Sequence, residues 1–306
     1  MKIIEKLFGG LRLTWPKLII FAVLAGVYTA VMCMIPALKD TSFSDIAVTF
    51  EVWILFGILI IMNSTSPLDS ALKCFVFFLI SQPLVYLVQD VVNHTQLFQT
   101  YYLHWFYWTL LTFPMGFIGY FMKKGKWWGL LILLPILLLL GSYMYAGYLS
   151  QTMFSFPRHL LTTIFCLVTL FLYPFAIFRE RRVRIAGITV SAAIAIFFTI
   201  TTLLNPPVYN TVLAVNEGSL GITFDDTYKA YLADGSYGDL RIIFDKGLED
   251  WMVSAELRKA GQTEFIVEAP DGTKSVFDLS ISRHTYDIKK KTVTVNGENS
   301  NKGVLQ

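Results

Sequence analysis

The sequence predicts an α-helical polytopic membrane bundle of about seven transmembrane helices, followed by a small all-β domain. Three observations carry that prediction. The 306 residues are 55% hydrophobic and only 15% charged, whereas soluble domains carry about 25% charged residues. The stretch Ile185–Leu204 runs without a charge, long enough for a helix to cross a bilayer, and Asn205-Pro206-Pro207 then ends it, because proline lacks the N–H and fixes φ. Beyond residue 209 the apolar residues alternate with polar ones, the period of strands with one buried face.

Charge divides at the same place. Residues 1–205 hold 14 Lys/Arg against 7 Asp/Glu, and residues 206–306 hold 11 against 15. The positive part is the apolar part, which argues against nucleic acid as a partner and for the lipid bilayer. The three cysteines, Cys33, Cys74 and Cys166, all fall in expected spans without CxxC spacing, so neither a disulfide framework nor a zinc site follows. No cofactor motif is present. The first apolar segment, Leu18–Leu38, is longer than a usual signal h-region and reads as a transmembrane helix.

Residues 1–17 form a basic, interfacial segment, read either as a short amphipathic helix or as a disordered tail interrupted by Gly9-Gly10. Trp15-Pro16-Lys17 starts the first helix. Apolar segments follow at about 18–38, 47–63, 72–91, 101–122, 127–149, 159–178 and 185–204. With seven spans, loops on the N-terminal side carry twelve Lys/Arg, among them Lys123, Lys124, Lys126 and Arg179–Arg184, while the opposite side carries only Lys39 and Arg158. The positive-inside rule then places the N-terminus in the cytoplasm and the β-domain outside a cell membrane. Ala22, Gly26 and Ala30, with Gly116 and Gly119, are small residues suited to close helix packing. Pro83, Pro114 and Pro135 are expected to kink their helices.

Polar residues at membrane depth are the places to look for function. Glu51 begins the second span; Gln89, Asp90 and His94 end the third; His104 begins the fourth; Arg158 and His159 begin the sixth. All cluster toward one expected face of the membrane. Glu51, Asp90, His94, His104, Arg158 and His159 are the candidate ligand or ion residues, since imidazole and carboxylate can bind a cation or move protons. The competing reading is that charge is simply tolerated near loops. Gln82, beside Pro83, is a polar side chain near mid-membrane. No HExxH, CxxC, nucleophile motif or phosphate-binding glycine loop occurs, which points away from an enzyme, and no metal is expected.

In residues 206–296 the runs around Leu240–Phe244, Trp251–Leu257, Phe265–Val267 and Phe277–Ile281 alternate. Pro270-Asp271-Gly272 supplies a turn, with proline presetting φ and glycine accepting φ > 0. Asp234-Gly235 and Lys246-Gly247 mark two more. About seven strands suggest an antiparallel sandwich. The run GQTEFIVEAPDGTKSVFDLSIS, residues 261–282, resembles the last hairpin of bacterial immunoglobulin-like domains. That resemblance implies an immunoglobulin-like sandwich with Trp251, Phe265 and Phe277 in its core. Thr292–Val295 is a short strand candidate, and residues 297–306 are expected to be disordered.

Three functional readings follow. The first is a bacterial cell-envelope protein, non-enzymatic, whose outward domain contacts an envelope protein or wall polymer through residues 209–296. The second is a small-solute or ion transporter or ligand-binding membrane protein using the polar cluster. The third is an intramembrane enzyme acting on a lipid-linked substrate.

Overall fold

A computed structural model describes residues 2–94, 96–247, 249–282, 285–295 and 298–299, with side chains described except at positions 2, 50, 100, 104 and from 290 onward. The helices are α1 (Lys2–Leu7), α2 (Trp15–Met34), α3 (Ser42–Val48), α4 (Phe50–Met62), α5 (Pro67–Asn93), α6 (Leu97–Gly119), α7 (Trp127–Leu139), α8 (Ala146–Phe154), α9 (Leu160–Ile177) and α10 (Arg181–Leu204). The chain divides into two compact units, Met1–Leu149 with Arg158–Thr201, and Ser150–Pro157 with Thr202–Gln306.

Among the described residues five helices are long and apolar enough to cross a membrane: Trp15–Met34, Pro67–Asn93, the continuous helix Trp127–Phe154, Leu160–Ile177 and Arg181–Leu204. A sixth span exists if α3 and α4, bent by 41° at Thr49, count as one. The 23-residue α6 stands at the fourth expected segment. The N-terminal segment is helical and tied down: Asn63 donates to the Leu7 carbonyl (2.6 Å) and accepts from the Leu11 N–H (2.8 Å), and Phe8 is buried. The disordered-tail alternative for this stretch therefore falls.

Local chemistry explains the helix ends. Pro67 opens α5, Ser66 accepts from the Asp69 N–H (3.1 Å), and Asp69 accepts from the Thr65 N–H (2.8 Å); this reciprocal cap satisfies donors that the helix cannot. Close approach explains the small residues. A Cβ on Gly26 would lie 2.6 Å from the Ser81 carbonyl oxygen, so α2 and α5 meet backbone to backbone there. Ser70 likewise donates to the Gly116 carbonyl (2.8 Å), joining α5 to α6. The expected prolines lie inside α5, α6 and α7. Beyond Pro135 the helix widens into a π segment, Leu140–Tyr145, where a Cβ on Gly141 would strike Ile194.

The second unit is all-β apart from its short helical pieces. Its strands are β1 (Tyr209–Val215), β2 (Lys229–Leu232), β3 (Gly238–Asp245), β4 (Asp250–Leu257), β5 (Gly261–Glu268), β6 (Lys274–Ile281), β7 (Tyr286–Val295) and β8 (Glu298–Asn299). They form two antiparallel sheets in the orders β1-β4-β3 and β2-β5-β6-β7-β8. The Pro270-Asp271-Gly272 turn closes β5 onto β6, with Gly272 at φ +85° and the Ala269 N–H bonded to the Thr273 carbonyl (2.8 Å). Phe265 and Phe277 are fully buried and stack at 5.4 Å.

Four expectations change here. The β5–β6 hairpin is not the last, because β7 pairs along the whole of β6; the alternating run Tyr286–Ile288 extends the short strand expected at 292–295. Glu298–Asn299 pair with β7 rather than lying disordered, and the rest of 297–306 falls outside the described residues. Trp251 is only half-buried. It faces inward with Val253 and Ala255 but stands at the end of β4, where its ring meets Phe244 edge-on at 5.3 Å. Finally, the helical stretch Ser150–Pro157 belongs to this unit: Phe154 is buried in the β core, and its carbonyl accepts from the Ala260 N–H (2.6 Å). A filler lying about a hundred residues away in the chain leaves no trace in local periodicity.

Candidate functional site

The site is built where α3, the start of α4 and the start of α9 come together. Ser42 opens α3 and interlocks with the residues before α9: its N–H (2.8 Å) and hydroxyl (2.9 Å) both donate to the Arg158 carbonyl, and its Oγ accepts from the Thr162 N–H (3.2 Å). This clamp fixes Asp45, one turn into α3, against His159, at the N-cap of α9.

His159 is 1% exposed. Its Nδ1 lies 2.7 Å from Asp45 Oδ2, which also accepts from the Thr162 hydroxyl (2.9 Å). Its Nε2 lies 3.3 Å from Asp40 Oδ1, and Asp40 Oδ2 takes a bond from Arg158 Nη1 (3.2 Å). The imidazole is held between two carboxylates, Asp45 mostly covered and Asp40 half open to solvent, and its ring stacks on Tyr148 at 6.3 Å. Only Nδ1 is hydrogen-bonded, to Asp45; the buried Nε2 has no hydrogen-bond partner although the Asp40 carboxylate lies near it.

Glu51 is 0% exposed. The Thr49 hydroxyl contacts both the Asp45 carbonyl and Glu51 Oε1. This hydroxyl ties the Glu51 carboxyl of α4 to the backbone of α3. Glu51 Oε2 has no hydrogen-bond partner, nor do His159 Nε2 and the buried hydroxyl of Tyr173. Unpaired buried polar atoms cost free energy.

Of the six candidate residues, the structure unites Arg158 and His159 in one network and brings Glu51 to it through Thr49 and Asp45. Asp90 instead caps α6, its two oxygens accepting from the N–H groups of Leu97 (2.7 Å) and Phe98 (2.8 Å). His94 is exposed and ends α5 in the left-handed region at φ +55°. The His104 side chain lies outside the described residues. Gln89 bonds back to the Val85 carbonyl (2.7 Å). Sequence reasoning missed Asp40, Asp45, Thr49, Tyr148, Thr162 and Tyr173. The spacing Ser42-x-x-Asp45 is a helix-start signature and could have drawn attention to Asp45.

Among the described residues no three His, Cys, Asp or Glu side chains come together so as to hold a metal ion. A separate apolar cleft of about 420 Å³ lies among α4, α5, α6 and α7, with Gln82 in its wall. In the β unit, Asp225 accepts from the Thr227 N–H (2.9 Å) and Asp239 pairs with Arg258, so both aspartates serve local contacts. No protein-family model, curated protein or solved structure matches this chain.

Proposed function

We propose that the chain is an integral, multi-pass protein of a bacterial cell membrane that displays an immunoglobulin-like sandwich outside the cell to bind an envelope protein or wall polymer, without catalysis. Seven spans follow when α3–α4 counts as one and α6 as another, and the twelve-to-two asymmetry of Lys/Arg supports a cytoplasmic N-terminus. The observation that carries the binding role is the β3 edge. The β unit completes its core with Phe265, Phe277, Leu279 and Val253, yet leaves Ile243 41% and Phe244 47% exposed on an edge strand beside Trp251. The four-residue β2 packs beside part of β3, and the apolar end at Ile243 and Phe244 supports the reading as a contact surface for a partner, since edge strands left apolar invite association.

Cross-linking in intact bacterial cells, followed by mass spectrometry, tests this with the full chain and with Phe244→Asp. Truncation at Asn205 is a poorer test, because it would uncover Phe154. Partners lost in Phe244→Asp support the reading; an identical set with both proteins overturns it.

The buried Glu51 favours a second reading, a membrane protein that binds or moves a small ion, in which the α3–α4 bend takes up a proton. Vesicles holding the full chain and a trapped pH dye would collapse an imposed pH step faster than vesicles with Glu51→Gln. Equal rates would end this reading.

A further inference from the structure

The apolar cleft of the helical unit has a shape that the polar site does not explain. Its wall on α4 runs from Trp53 to Ile61, and its wall on α6 runs from Trp105 to Gly119. At a rise of 1.5 Å per residue the α6 wall is about 21 Å long, roughly two thirds of the hydrocarbon core of a bilayer. The cleft is thus a slot parallel to the helices rather than a round pocket.

Its polar groups are mostly spent. Thr29 donates to the Ala47 carbonyl (2.9 Å), Thr109 to the Trp105 carbonyl (3.2 Å) and Thr112 to the Thr109 carbonyl (2.6 Å). No charged residue lines it. Gln82 and Tyr86 are the other polar side chains of the wall, both on α5; water needs two to four polar partners in such a space, and the rest of the slot is hydrocarbon and aromatic.

Gly57 is the second, independent observation. Gly26, Gly116, Gly119 and Gly141 each sit where an added Cβ would meet a neighbour at 3.0 Å or less; their lack of a side chain serves helix packing. Gly57 also lies in a helix and in the slot wall, but a Cβ there would meet nothing within 4 Å. Glycine weakens a helix relative to alanine, and no contact within the protein accounts for it here. Its bare surface keeps the slot open.

We infer that this slot is a binding site for one hydrocarbon chain of a membrane lipid. A chain of methylenes supplies the dispersion contacts that an empty apolar slot forfeits, matches the length, and asks for no hydrogen bond. The inference depends on the helices lying in a bilayer, but not on a partner at β3, so the two can fail separately.

The test uses the full chain in vesicles of phosphatidylethanolamine and phosphatidylglycerol containing a phosphatidylglycerol with a diazirine near the middle of one acyl chain. After illumination, labelled peptides are quantified by mass spectrometry. Label, assigned to single residues, is expected to concentrate on the slot residues Trp53, Ile58, Thr109 and Thr112 over the outward-facing Ile196, Phe197 and Ile200 and the exposed Tyr107 and Leu111. Gly57→Phe is expected to lower it roughly tenfold there, as for the loss of about two buried methylenes of chain, and Gly57→Ala to lower it little. If Gly57→Phe does not fold, Gly57→Leu is read instead. Label spread evenly over exposed helix faces, or unchanged by the larger side chains, overturns the site. In that case the cross-linking at β3 still stands or falls on its own.

Discussion

The two units solve the problem of buried and exposed groups in opposite ways. The helical unit exposes large apolar side chains, such as Leu131 (69%) and Leu103 (66%), and buries Glu51, Lys73 and His159. The β unit buries Phe154, Phe224, Phe265 and Phe277, and its charged side chains are exposed or half-exposed among the described residues. The difference follows from the medium. A surface facing lipid gains nothing by being polar, so charge retreats inward and must be paired there. A surface facing water leaves charge free to stay outside, and the interior is left to close-packed hydrocarbon. Hence in one unit the sensitive positions are polar, and in the other they are apolar.

The largest effect that would break this contrast is in the β core. Phe277→Ala removes one ring of the buried stack and is expected to cost about 3–5 kcal/mol. Protease cleavage of the full chain in detergent should then rise within residues 209–295 and stay unchanged in the helices. Asp45→Ala is the mirror experiment: it leaves the buried His159 Nδ1 without its partner and the Thr162 hydroxyl with only the Ser42 carbonyl, at about 3 kcal/mol. The thermal midpoint of the helical unit should fall, with cleavage in the β unit unchanged. If Asp45→Ala proved neutral while Asp45→Leu was stabilising, the buried pair would be an electrostatic burden, and the contrast would narrow.

A smaller effect separates packing from polarity inside the helical unit. Gly26→Leu drives a side chain into the Ser81 carbonyl and is expected to cost about 1–3 kcal/mol, whereas Gly57→Ala should be neutral or slightly stabilising. The same thermal measurement reads both, and equal losses would contradict the open space at Gly57.

The smallest effect is in the acid response of the β unit. The Tyr231 hydroxyl and then Lys274 hold the Glu268 carboxyl below its usual range. The Thr273 N–H does the same for Asp271, and the Thr227 hydroxyl for Asp225. Because these folded-state values are depressed, their contribution is present above the unfolded value and lost as pH falls through the folded one. The acid limb therefore begins below about pH 4. Asp225 and Asp271 are exposed and Glu268 is half-buried, so solvent screens these interactions and the slope is shallow. Glu268→Gln should flatten it further, as read by protease sensitivity of the β unit between about pH 5 and pH 3; a steeper limb would place the acid-sensitive groups elsewhere.

Much of this was legible in the order of residues. Composition, the uncharged run Ile185–Leu204 and the proline pair after it determine membrane-length helices. Alternation around Leu240–Ile242 and Phe265–Val267 determines strands, and Pro270-Asp271-Gly272 determines a turn. These are local signals, because helix and strand periods repeat within a few residues. Glu51, Arg158 and His159 could also be singled out by type and depth. Only the tertiary structure decided that those three meet through Asp45 and Thr49 while Asp90 caps α6 instead. It also decided that Phe154 serves the β core, that Trp251 stands at its rim, and that Gly57 faces an open slot. Each of these depends on which distant segments touch, and that is set by packing complementarity across the fold, which no periodicity within one segment records.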